Sequence, residues 1–214
     1  MTILYTTSIR PFLTEMEAFD ENQFANYKEC LPESRLEKVA RLRSPKDKAR
    51  SAMAGVLLLR AYREYKKDEK SLLPEIVLTD REKPVFLGEQ GIHFNLSHSG
   101  DYVACVISDA PVGVDIQERR ELKEHFIKRI FSEKEKQYDS SVLMDFYAFK
   151  EAYVKYTGEG MARKFGDLSM EKLYETGKDF IDQKTIYGRR ICEIKGYALA
   201  VVSENPLKEM LWVK

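Results

Sequence analysis

Cysteine is scarce here: Cys30, Cys105 and Cys192 are the only three in 214 residues. An odd count, wide spacing and no C-x-x-C pair exclude a disulfide framework and a zinc ribbon. They are read as buried, reduced thiols in a cytoplasmic protein. An excess of either charge is also missing, since 35 Lys and Arg face 35 Asp and Glu. Zero net charge gives no global attraction for nucleic acid and leaves only local patches to hold phosphates. The longest strongly apolar runs, residues 56–59 and 197–202, are too short to cross a bilayer. The opening MTILYTTSIRPF lacks the basic and apolar regions of a signal peptide. What is present is 43% hydrophobic residues, enough to bury a core and exclude disorder. The length suits one large domain or two small ones.

Ser44, Pro45 and Asp47 form a helix start, with a capping hydroxyl, a first-turn proline and an acid at the positive end of the dipole. Met53, Val56, Leu57, Ala61 and Tyr65 then recur at helical steps. A shorter amphipathic helix is expected over residues 32–42 and a strand over 75–78. Residues 93–108 read as a β-hairpin turning at Ser99-Gly100-Asp101, followed by a strand over 112–116. Ser132 and Glu135 make a capping box that opens a second helix. A long helix over 144–157 ends at Gly158, and the tail carries strand-like runs at 184–194 and 197–203.

The strand at residues 101–108 resembles that at 196–203, an offset of 95. The same offset lays the helix from Ala49 over the one from Met144. A duplicated α+β half is expected, with a boundary near 109–112.

Asp115 lies in Pro-Val-Gly-Val-Asp-Ile, residues 111–116. Gly113 permits close backbone approach. The aspartate either projects to a ligand or opens the turn before a charged loop. Tyr147, Glu151 and Lys155 share one helix face. Glu151 and Lys155 read as a solvated pair. Alternatively, because Ala148, Phe149, Ala152, Tyr153 and Tyr156 make this helix apolar nearly all round, Glu151 is a partly buried carboxylate in need of a cation. Together Asp115 and Glu151 suit Mg²⁺, which takes one or two carboxylates and completes its shell with water and substrate phosphate. Ser97 and His98, in Asn-Leu-Ser-His-Ser, can offer a hydroxyl, a ring nitrogen and loop amides to a phosphate. Adjacent strand residues point to opposite faces, which argues against a nucleophilic Ser–His pair. Basic residues gather in the first half, mostly as a solvated helix face. Of these, Arg35 and Lys38, three apart, can grip a terminal phosphate.

Four blocks carry a family resemblance: Phe-Asn-Leu-Ser-His-Ser (94–99), Val-Gly-Val-Asp-Ile (112–116), Phe-Ser-Glu-Lys-Glu (131–135) and Phe-Lys-Glu-Ala-Tyr-Val-Lys (149–155). In this order they resemble the 4′-phosphopantetheinyl transferase family, in its longer surfactin-synthetase type. Residues 31–38, Lys83-Pro84 and the turn Gly158-Glu-Gly-Met161 add to the likeness. The resemblance implies an α+β pseudo-dimer of two similar halves, residues 1–110 and 111–214. Each half is expected to have a three-stranded antiparallel sheet and a long helix, with one site between the halves of a monomer. It implies transfer of the phosphopantetheine arm of coenzyme A to a serine of an apo acyl or peptidyl carrier protein. The other product is adenosine 3′,5′-bisphosphate.

By the same resemblance Asp115 and Glu151 hold magnesium; a base must also take the serine proton, and Glu151, directly or through a metal-bound water, is the best candidate. Lys155 contacts the pyrophosphate. Arg35, Lys38 and Arg50 hold the 3′-phosphate and neighbouring groups, while Lys83, Ser97 and His98 line the nucleotide and its phosphates. One departure stands out. Many members carry a second acid two residues after the aspartate, and this chain has Gln117, an amide able to ligate without charge. Carrier proteins are acidic around their serine, so a basic or apolar landing surface is expected. Leu122, Lys123, Phe126, Lys128 and Arg129 supply one, or form an ordinary amphipathic face. Neither nucleic acid nor membrane is implied. Two rival functions stay open, a non-catalytic coenzyme A or nucleotide-binding module and a Mg²⁺-dependent pyrophosphate hydrolase.

Overall fold

The structure, a computed structural model, describes residues 1–160, 163–207 and 211–213. The first half runs β1 (Thr2–Ser8), α1 (Glu21–Ala25), α2 (Glu33–Arg41), α3 (Pro45–Lys66), β2 (Ile76–Leu78), β3 (Pro84–Phe86), β4 (His93–Ser99) and β5 (Tyr102–Ser108). The second runs β6 (Val112–Glu118), α4 (Glu124–Ile130), α5 (Ser140–Thr157), α6 (Glu171–Thr176), β7 (Lys178–Ile181), β8 (Lys184–Ile191), β9 (Tyr197–Ser203) and β10 (Leu211–Val213). Ser44 caps α3 by accepting from the Asp47 N–H. Gly158, in the left-handed conformation, ends α5.

Both halves share one plan. Strands β1, β5 and β4 are antiparallel neighbours, as are β6, β9 and β8. The main sheet of each half has four strands instead of the expected three, and β2 and β3 pair in a separate two-stranded sheet. β10 returns from the second half to lie parallel to β1, and β7 extends the second sheet beyond β8. The offset of 95 fits the elements themselves, since α3 and α5 start at 45 and 140 and β5 and β9 at 102 and 197.

Alternation along β5 and β9 builds the layers. Val103, Cys105 and Ile107 pack with α3, and their counterparts Ala198, Ala200 and Val202 pack with α5. Ala104, Val106, Leu199 and Val201 turn the other way and join Leu4, Val114 and Ile116 in a third core between the sheets. The molecule is therefore layered helix, sheet, sheet, helix.

Some expectations shift. The Ser132–Glu135 capping box forms, with Glu135 Oε2 accepting the Ser132 N–H at 2.9 Å and Ser132 Oγ accepting the Glu135 N–H at 3.2 Å. It opens only a 3-10 turn at Glu135–Gln137, because Glu135 turns inward to an ion pair. The long helix starts at Ser140, four residues before Met144, on the Asp139 cap. All three cysteines are free, but only Cys105 is buried; Cys30 is half-buried and Cys192 exposed. Among the described residues no helix is long and apolar enough to cross a membrane.

Candidate active site

The halves meet along β4 and β6, two strands that are not hydrogen-bonded neighbours in either sheet. Side chains of alternate β4 residues take the place of carbonyls instead. Asn95 Oδ1 accepts the Val114 N–H at 3.0 Å, Ser97 Oγ that of Ile116 at 3.2 Å and Ser99 Oγ that of Glu118 at 2.9 Å. On its other side β6 lies hard against α5. A Cβ on Gly113 would sit 2.0 Å from the Ala152 carbonyl oxygen, so only glycine allows this approach. That contact brings Asp115 beside Glu151 and Lys155.

Asp115 is 1% exposed and lies within β6, which runs on to Glu118; it does not open a turn. Its Oδ1 receives Lys155 Nζ at 2.6 Å and the Ser97 hydroxyl at 2.8 Å, and its Oδ2 receives Gln117 Nε2 at 2.8 Å. Lys155 thus bridges to Asp115 across elements instead of forming a solvated pair with Glu151. Burial first, and the Asp115 charge second, push the Glu151 carboxyl above its ordinary value, while the Tyr147 hydroxyl and Lys155 pull it back.

Among the described residues no three His, Cys, Asp or Glu side chains converge as a metal site. The side chains that could hold a cation there are the Asp115 and Glu151 carboxylates and the Gln117 amide. This set still suits Mg²⁺, which needs few protein oxygens when phosphates complete its shell. A divalent cation held there would offset the Asp115 charge that raises Glu151.

Cations surround this core. Burial, then Arg50, Lys155 and Lys38, hold the His98 imidazole below its ordinary value. Arg50 donates through Nε to the Gly100 carbonyl at 2.8 Å and pairs with Asp47 at 2.7 Å. Burial and the neighbouring Arg35 lower Lys38. Arg35 itself corrects the picture of an open phosphate grip. It is 7% exposed between α2 and α3, donates to the Ser51 carbonyl at 2.7 Å and leaves Nε unpartnered. Burial lowers it to about 10. Lys83 is also engaged, donating to the Tyr156 carbonyl at the end of α5 at 2.7 Å.

Comparison with known proteins bears on what this cluster belongs to. The 4′-phosphopantetheinyl transferase superfamily matches residues 111–202, and the family of 4′-phosphopantetheinyl transferase N-terminal regions matches residues 18–109. The chain belongs to the 4′-phosphopantetheinyl transferase superfamily. It is 27% identical over 190 residues to the 4′-phosphopantetheinyl transferase Sfp of Bacillus subtilis (strain 168), covering 82% of each chain. It is 38% identical over 88 residues to the transferase psf-1 of Bacillus pumilus, covering 37% of this chain and 38% of that one. Over 48 residues it is 50% identical to the transferase AcpT of Escherichia coli (strain K12), covering 22% of this chain and 25% of that one.

For a member of this superfamily, the cavities around Glu151 are informative. One, of about 320 Å³, is lined by Arg81, Lys83, Asn95, Lys155 and Gly158. The other, of about 650 Å³, is lined by Phe126, Ile130, Tyr147 and Phe165 together with Arg129, Arg163, Lys164 and Asp167. Glu151 and Phe165 line both. Of the expected landing residues, Phe126 and Arg129 face the larger cavity and Lys123 is exposed. Leu122 is buried in the second core, and Lys128 is paired with Glu124 at 2.6 Å. Gly158 borders the smaller cavity, whereas Met161 lies outside the described residues.

Sequence reasoning misses Lys150. Its Nζ is fully buried, paired with Glu135 at 2.7 Å and bonded to the carbonyls of Phe165, at 2.9 Å, and Leu168. The available signal was a lysine inside the apolar run Phe146, Phe149, Tyr153. Such a charge needs an internal partner, and the acid of the capping box supplies it.

Proposed function

We propose that this site moves the phosphopantetheine arm of coenzyme A onto a serine of an apo acyl or peptidyl carrier protein, with release of adenosine 3′,5′-bisphosphate. The observation that carries the reading is the Asp115–Lys155–Glu151 cluster, whose Glu151 lines two adjoining cavities of about 320 and 650 Å³, both with basic side chains in their walls. Nucleotide and phosphates suit the smaller cavity, where Arg81, Lys83 and Lys155 supply charge, with Lys38 and Arg50 near His98, which can offer a neutral ring nitrogen. The pantetheine arm and incoming serine suit the side walled by Phe126, Tyr147 and Phe165.

Asp115 and Glu151, with the Gln117 amide oxygen, would hold Mg²⁺. When bound, the ion supplies positive charge to the pyrophosphate and polarises it for attack. Lys155 adds its ammonium to the charge that develops on the phosphate oxygens. Glu151, which lines both cavities, is placed to take the serine proton. The serine oxygen then bonds to the pantetheine-side phosphorus as the bond to the bisphosphate breaks. Both halves of one chain build the site, which supports a monomer, and the cysteine usage supports a cytoplasmic setting.

The test is incubation with coenzyme A, Mg²⁺ and several apo carriers. A gain of about 340 Da on a carrier serine, the mass of one phosphopantetheine arm, supports transfer. Bisphosphate release without any carrier indicates a hydrolase. Coenzyme A binding with neither outcome indicates a non-catalytic module.

A further inference from the structure

Ser97 is the place where the two halves touch the chemistry. A hydroxyl has one proton to donate and two lone pairs to accept with. Here all three are used inside the protein. It donates to Asp115 Oδ1 at 2.8 Å, and it accepts from Lys155 Nζ at 2.9 Å and from the Ile116 N–H at 3.2 Å. With the Lys155–Asp115 contact at 2.6 Å, the three side chains close a ring. Ser97 is 6% exposed, so no further partner reaches it from solvent. His98, the next residue, shows the contrast. Strand alternation places it on the other face of β4, where it feels the charges of Arg50 and Lys38.

We infer that Ser97 is a positioning residue that holds Asp115 and Lys155 in their reactive arrangement, and is not a ligand of coenzyme A. The inference rests on the proposed transfer reaction and revises the role that the family resemblance implies for this serine. Ser97 comes from the first half, while Asp115 and Lys155 come from the second. The ring therefore makes the geometry of the charged pair depend on correct docking of β4 against β6. Without the hydroxyl, Asp115 Oδ1 loses a donor and Lys155 and the Ile116 N–H each lose an acceptor, so the charged pair is no longer tied to β4.

Ser99 provides the control. It forms the outer rung of the same ladder, accepting the Glu118 N–H at 2.9 Å, and does not touch Asp115 or Lys155. Ser97→Ala, Ser97→Thr and Ser99→Ala are compared with the wild type in kcat and KM with an apo carrier. Coenzyme A affinity is read by calorimetry and folding by thermal melting. Ser97→Ala is expected to lower kcat at least tenfold with coenzyme A affinity within threefold. Ser97→Thr is expected to recover most of the loss, and Ser99→Ala to match the wild type in kcat. A tenfold or greater loss of coenzyme A affinity in Ser97→Ala with kcat retained overturns the inference, as does an equal loss of kcat in Ser97→Ala and Ser99→Ala. If Ser97→Ala does not fold, Ser97→Thr decides by the same split between kcat and affinity. A wild type inactive on every carrier removes the transfer reading and not this one. Coenzyme A affinity still distinguishes a ligand, whose loss weakens binding, from a positioning residue.

Discussion

Tyr102 and Tyr197, equivalent residues 95 positions apart, pack against each other with ring centroids 4.9 Å apart. Equivalent residues of two halves can touch only beside the axis that relates them, so this contact marks the pseudo-twofold. It also allows the active site to be compared with its counterpart across the axis. Asp115 pairs with Ala200 and Tyr5 with Cys105, so Tyr5 stands where Asp115 does. The offset places Val56 opposite Glu151 and Arg60 opposite Lys155. The Asp115–Lys155 ion pair becomes an Arg60 guanidinium 5.5 Å from the centre of the Tyr5 ring.

The counterpart thus lacks the carboxylate pair that would hold a cation. Calorimetry is expected to give one coenzyme A per chain, with Mg²⁺ at a single coupled site. Two equivalents of either would show that the first half keeps a working copy.

Replacing Glu151 by Gln or Asp115 by Asn is expected to lower turnover by about 100-fold or more while the fold persists. Stability should move the other way for Glu151. Its folded pKa is raised above the ordinary 4.5, so its ionisation opposes folding. That penalty is complete above the folded pKa and gone below the unfolded one. In metal-free protein Glu151→Gln should therefore melt a few degrees higher at pH 8, and the gain should vanish by about pH 4.5. A variant that melts lower than wild type at pH 8 would show that the carboxylate is stabilised where it sits.

Much of this was legible in the sequence because it was written in local signals. The caps Ser44 and Gly158, the hairpin around Gly100 and the 95-residue repeat are each set by residues near one another in the chain. The conjunction of Asp115 with Lys155 was not, because it depends on Gly113 letting β6 reach α5. β1 was not read as a strand either, although it is central to the first sheet. Arg35 looked like a surface grip because helical spacing gives a face but not what covers it. The inter-half ladder was hidden because Asn95, Ser97 and Ser99 act as carbonyl substitutes, a role no residue pattern announces.

Arg35 is a buried guanidinium with no carboxylate partner and an unbonded Nε. An apolar residue of similar length should stabilise this position. Arg35→Met is expected to raise Tm. If the uncompensated charge serves the 3′-phosphate, together with Lys38, the same change should weaken coenzyme A about tenfold and 3′-dephospho-coenzyme A little. Equal affinity losses for both ligands would leave Arg35 a packing residue only.

Lys150 and Glu135 form the opposite case, a buried pair with partners on every side. Glu135 also accepts the Met170 N–H at 2.9 Å, so the pair ties the capping-box turn to the segment that walls both cavities. Removing one partner strands a charge, and Lys150→Ala should cost about 3–5 kcal/mol. Urea unfolding measures it, and a loss below about 1 kcal/mol would mean that water replaces the lost partner.

Gln117 tests the metal set. Its amide donates to Asp115 Oδ2 at 2.8 Å, so the side chain shares the face of Asp115 on β6. With only two carboxylates, the free protein should bind Mg²⁺ weakly, because magnesium gives up its water reluctantly. The pyrophosphate of coenzyme A adds oxygens, so binding should tighten in its presence, and by linkage Mg²⁺ raises coenzyme A affinity by the same factor. Gln117→Glu turns a hydrogen bond into a contact between like charges. The metal-free variant should melt below wild type, and added Mg²⁺ should restore the loss. Its affinity for Mg²⁺ without coenzyme A should rise about tenfold, and the coupling between the two ligands should shrink, because the site no longer waits for substrate oxygens. Calorimetric titrations of both proteins, with and without coenzyme A, measure all four affinities. Unchanged magnesium affinity in both states would place the ion away from Gln117 and leave the amide as a support for Asp115 alone.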